Sequence, residues 1–179
     1  MPVTPTPTPI PPKIKPEIAD ADRQNMLLTL KAYLETVKFN GDIFTVTYVE
    51  DTSLSGRYYA KYNVFRKKES LEYCSITTDF YIDLLTKEIF VGSCLMPKNI
   101  YVELTEKFKN HFTENELKYR HIMLNDIIFE EKLNTYCYSV QLVSPGKDFL
   151  GTLGWYVFTE DATALYEMDI VTTTYTEIK

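Results

Sequence analysis

The chain has 179 residues, 45% hydrophobic and 25% charged, which is enough for one domain or two small ones around a core and excludes a disordered chain. With 19 Lys and Arg against 25 Asp and Glu, the net charge is −6 and the pI is near 5.0, so a nucleic-acid backbone is not expected as the partner. No run of 18 apolar residues occurs, so no membrane span is expected.

The first segment reads "MPVTPTPTPIPPKIKP". Each proline lacks an amide donor and blocks the preceding turn, which excludes a helix and a central strand. Residues 1–16 are therefore an extended polyproline-type arm, at about 3.1 Å per residue, which gives residues 2–16 a reach of roughly 45 Å. Its large apolar residues are Val3, Ile10 and Ile14, and Lys13 and Lys15 flank the last of these. Proline has already given up most of its backbone freedom, so docking such an arm in a groove costs little ordering entropy. Val3, Ile10, Lys13, Ile14 and Lys15 are thus candidate partner-binding residues. The segment has no charged region followed by an apolar one, as a signal peptide would. The expected location is intracellular or in a virus particle, or the cell surface if a leader was removed.

A helix is expected from Asp20 or Asp22, either able to cap it, to about Lys38. Leu27, Leu30, Leu34 and Val37 recur at helical spacing, and Asn40-Gly41 supplies a left-handed stop. The period then changes to two. "DIFTVTYVE", "GRYYAKYNVF", "CSITTDFYID" and "KEIFVGSCL" read as half-buried antiparallel strands. In the second of these, Tyr58, Ala60, Tyr62 and Val64 share a face. The basic run Arg66-Lys67-Lys68 reads as a solvated turn.

Met96-Pro97 breaks the pattern, and a second helix begins near Asn99 with Tyr101, Leu104, Phe108 and Phe112 as its apolar stripe. "TENE" at 113–116 has capping-box spacing and restarts a short helix toward Met123. Strands resume with "DIIFEE", "TYCYSVQLV", "GTLGWYVFT" and "ALYEMDIVT". The fold class is therefore α+β: an arm over 1–16, then two helix-plus-antiparallel-sheet halves over 17–96 and 97–179.

The halves end in similar hairpins, "FYIDLLTKEIF" and "WYVFTEDATALY". Both open on aromatic–Tyr–β-branched and return on aliphatic–aromatic, which points to a degenerate duplication; the alternative is that hairpins share this pattern in general. These hairpins, with the tail "GWYVFTEDATALYEMDIVTTTYTEI", resemble PepSY-like αβ repeat domains of Gram-positive cell-envelope lipoproteins. The resemblance implies a helix followed by strands in each unit, and a Thr-Pro linker after a lipid anchor would suit it. The turn glycine usual in such hairpins is missing, with Lys87 or Thr163 nearby instead.

Catalytic patterns are absent. The glycines stand singly, so no phosphate cradle exists, and Cys74, Cys94 and Cys137 have neither disulfide-framework nor zinc spacing. His111 and His121 read as partly exposed structural residues, and Cys137 as a core or half-buried thiol. The pairs Glu50-Asp51, Glu130-Glu131 and Glu160-Asp161 read as solvated turn charges. No metal, cofactor or catalytic residue is expected.

The remaining feature is 14 tyrosines, mostly in strands. Tyr58, Tyr62 and Tyr138 are candidates for a partner-binding sheet face, against the alternative of cross-strand packing. The leading expectation is a non-enzymatic assembly subunit, as in a virus or phage particle, docking on a protein partner through its arm; an oligomer is compatible with this. The alternative is an extracytoplasmic ligand-binding or sensor domain on a Thr-Pro stalk.

Overall fold

The computed structural model describes residues 14–69, 71–146 and 150–178. Helix α1 (Asp20–Val37) is followed by strands β1 (Asp42–Leu54), β2 (Arg57–Lys68), β3 (Leu71–Asp83), β4 (Ile89–Val91) and β5 (Met96–Pro97). Then come α2 (Lys98–His111), a single turn α3 (Glu114–Leu117), and strands β6 (His121–Glu130), β7 (Thr135–Pro145), β8 (Leu150–Thr159), β9 (Leu165–Asp169) and β10 (Thr174–Ile178). Each half is thus a helix and a five-stranded antiparallel meander, in the orders β1-β2-β3-β4-β5 and β10-β9-β8-β7-β6. The α+β, two-half architecture expected from the pattern is present.

One core serves both halves. Leu30, Leu34 and Val37 of α1, Tyr62 and Val64 of β2, and Phe80 of β3 join Leu104 and Phe108 of α2 and Val140 and Phe158 of the second sheet in a continuous apolar cluster. Phe80 meets Tyr33 and Tyr101 edge-on, and Phe108 meets Tyr156 in the same way at 5.0 Å. The two helices thereby share Phe80, and α2 bridges the sheets.

The meanders correspond in register as well as order. Tyr48 faces Tyr62 just before a bulge in β1, and Leu124 faces Val140 just before a bulge in β6. Farther along, Tyr59 faces Asp83 and Cys137 faces Thr159. The Leu84 amide donates to the Tyr58 carbonyl at 2.9 Å, and the Glu160 amide to the Tyr136 carbonyl at 3.0 Å. Both hairpins then close alike, Asp83 N–H on Glu88 O and Thr159 N–H on Ala164 O. The left-handed backbone of these glycine-less turns falls on Lys87 (φ 63) and on Ala162 (φ 61) rather than Thr163.

Local details differ from the sequence expectation. Neither Asp20 nor Asp22 caps α1; its N-cap is Ala19, without a side-chain bond. The helix ends on an extended Lys38, and Gly41 (φ 79) instead turns the chain into β1. Thr113 and Glu116 do form a reciprocal capping box, yet α3 stops at Leu117 and β6 begins by His121. Strands β5 and β10 are additional to those the pattern predicts.

The largest correction is the basic run. Arg66 and Lys68 lie inside β2, 5% and 1% exposed, on the face that carries Tyr62 and Val64. Asp42, at the start of β1, faces Lys68 and takes its ammonium at 2.6 Å, while Arg66 Nε lies 3.5 Å from the other oxygen of the same carboxylate. Lys68 also donates to the Leu117 carbonyl at 3.2 Å, and the Arg66 guanidinium lies over the Phe44 ring. Alternate residues of a strand share a face, so the first and third cations of the run turn inward and only Lys67 is exposed. A buried charge is tolerable only when paired, and Asp42 supplies that pairing.

Candidate partner-binding surface

The arm meets the body at β1. The bulge after Tyr48 switches the parity of the strand, so Asp51, facing Ala60, joins the inward face of Phe44, Val46 and Tyr48. Its carboxylate is almost fully enclosed. Arg23 of α1 forks onto it, Nη1 to Oδ1 and Nη2 to Oδ2, both at 2.8 Å. Lys15 Nζ reaches Oδ2 at 2.8 Å, and the Tyr48 hydroxyl donates to Oδ1 at 3.0 Å. The Arg23 guanidinium also lies 5.3 Å from the centre of the Tyr48 ring. The fork from Arg23, helped by Lys15 and Tyr48, holds the Asp51 carboxyl well below the usual carboxylate range. Burial, more than the nearby Asp51, raises the Tyr48 phenol.

Next to this clamp, Ile14 and Pro16 form one wall of a hollow completed by Gly56, Arg57, Tyr58, Asp83, Leu85 and Thr86. Asp83 organises the floor: its Oδ1 accepts from the amides of Leu85 and Thr86, and Arg57 lies 3.7 Å from Oδ2. Ile14 itself is 92% exposed and Leu85 is also exposed, so the foot of the arm presents apolar surface to solvent.

The candidates separate accordingly. Ile14 and Lys15 stand together at the foot of the arm, and the acidic neighbour of Lys15 is Asp51 of its own chain. Val3, Ile10 and Lys13 lie outside the described residues. Tyr58 is half-buried beside the hollow. Tyr62 and Tyr138 are corrections: at 1% and 4% exposure both are core side chains and offer a partner no surface. They sit on the inward face of their sheets, where cross-strand packing consumes them. Tyr59 is buried on the outer face, against Tyr81 and Phe90.

Asp51 and Arg23 were missed because Glu50-Asp51 resembles a turn pair when the bulge is not known. The other candidate chemistry is dispersed. His111 is exposed at the end of α2 against Phe112, whereas His121 is fully buried at the start of β6, not partly exposed. Among the described residues no three His, Cys, Asp or Glu side chains come together as a metal site. Burial pushes the Cys137 thiol up to about 11, with Glu130 and Asp161 adding to it, so the thiol is protonated at neutral pH. No described helix is long and apolar enough to cross a membrane.

The chain matches no known family, no curated protein and no solved structure.

Proposed function

We propose that the chain is a non-enzymatic structural or interaction protein, a subunit of a larger assembly such as a virus or phage particle, which docks through its N-terminal arm. The observation that carries this reading is Ile14, held out 92% exposed while the adjacent Lys15 is fixed to the body by Asp51. A clamped root that presents an uncovered apolar side chain suits an arm that is covered by a partner. The proline content of residues 1–13 lowers the entropy cost of that step.

Deleting residues 1–13 tests it. The described core begins beyond them, so the circular dichroism spectrum and the unfolding midpoint should match those of the full chain. Sedimentation velocity should show the assembled species lost. A truncated chain that assembles as before would make the arm a spacer, and an extracytoplasmic sensor domain on a Thr-Pro stalk would become the better reading.

A further inference from the structure

The correspondence between the sheets sets the foot of the arm against an open apolar corner in the other half. Phe129 faces Tyr136 as Ser53 faces Tyr58, and Ile127 faces Tyr138 as Asp51 faces Ala60. In the first half the foot of the arm occupies this corner. Lys15 and Arg23 cover Asp51, and Ile14 and Pro16 wall the hollow at Tyr58.

In the second half the same corner stands open. Phe129 and Tyr136 are 49% and 55% exposed, with Ile127 beside them, although all three lie on the face that elsewhere packs the core. The two rings meet edge-on at 5.2 Å and form a preformed aromatic ridge.

We infer that this corner receives the proline-rich segment, residues 1–13, of a second copy of the chain, an inference that rests on the arm-docking reading above. Extended proline-rich segments dock on aromatic-lined surfaces, and this one carries Val3 and Ile10 as apolar anchors. Charge agrees with the assignment. Asp126, Glu130 and Glu131 neighbour the ridge residues in the sequence, whereas residues 1–16 contain lysines and no acid. Lys132, the nearby cation, is engaged with Thr173. A second copy is the occupant because Lys15, tied to Asp51, holds the root of each chain's arm at its own first-half corner, and reciprocal exchange of two arms gives a closed two-fold pair. At about 3.1 Å per extended residue the segment reaches roughly 40 Å, enough to cross to a neighbour.

The test uses the full chain with a benzophenone side chain at Ile10, mixed as light and heavy isotope forms and irradiated. Cross-links should join Ile10 of one copy to residues 127–136 of another, giving mixed-isotope peptides. The double variant Phe129→Ser, Tyr136→Ser should reduce them at least tenfold and return the sedimenting mass to that of one chain. Cross-links confined to one copy, cross-links elsewhere on the surface, or a full-length chain that sediments singly would each overturn the inference. If deletion of residues 1–13 lowers the mass but the double variant does not, the arm reading stands and this site falls. If neither lowers it, both fall.

Discussion

Asp51 is the residue on which the arm, α1 and β1 converge, and its ionisation is linked to stability. Its folded-state carboxyl titrates below the unfolded value of about 4, so its contribution is complete above that value and is lost as pH falls through the folded one. Asp51→Asn should cost about 1–3 kcal/mol at pH 7, the usual range for a charged hydrogen-bonded partner left unmatched. The difference between wild type and variant should stay constant from pH 7 to about 5 and shrink below about 4. Urea unfolding across that range measures it; a difference independent of pH would show that the fork to Arg23 does not control the carboxyl. Little of this was legible in the sequence. The acid falls at the wrong parity for an inward residue, and only the bulge corrects it. Lys68 was missed for a related reason, since a run of three cations conceals the fact that strand alternation turns two of them inward.

At the scale of elements the strongly periodic segments were legible and the short ones were not. Helices α1 and α2 and the long strands carry enough repeats of their period to be unambiguous. Strand β4 falls within the expected "KEIFVGSCL", whereas β5, of two residues, and β10, of five, are defined by pairing with a neighbour. The turn between β1 and β2 illustrates how local chemistry can be improved. Leu54 pairs with Arg57, so the loop is Ser55-Gly56 alone, and both residues have positive φ, 49° and 74°. That is the primed turn favoured by Asn-Gly. Ser55→Asn should therefore stabilise the protein by about 0.5 kcal/mol, because Asn tolerates the left-handed region better than Ser. Gly56→Ala should cost about 1–2 kcal/mol through the backbone, since a Cβ there would meet nothing within 4 Å. Thermal unfolding of the two variants should shift in opposite directions. A shared direction would mean that the turn does not hold this geometry in solution.

For the whole molecule, the sequence suggested two units, and the packing determines whether they behave as two. The sheets are separate, with no strand of one hydrogen-bonded to the other among the described residues. The apolar interior is not divided in this way. Leu34 belongs to the same cluster as Phe108, Val140 and Phe158, and α2 touches Phe80 through Tyr101 at one end and Tyr156 through Phe108 at the other. Cutting the chain near residue 97 would expose that shared surface on both pieces, so neither half should fold alone. The chain's single tryptophan, Trp155, lies on β8 in the second half and reports on that half alone. Leu34→Ala empties a buried site on α1 in the first half, which should cost about 2–5 kcal/mol by lost transfer energy and the cavity left behind. With one cooperative core, that loss should move the Trp155 fluorescence transition and the far-UV circular dichroism transition by the same amount, and the two should remain superimposed. A Trp155 transition that stays in place while the dichroism signal splits would mean that the second half holds its structure without the first. The halves would then be independent units whose contact through α2 contributes little.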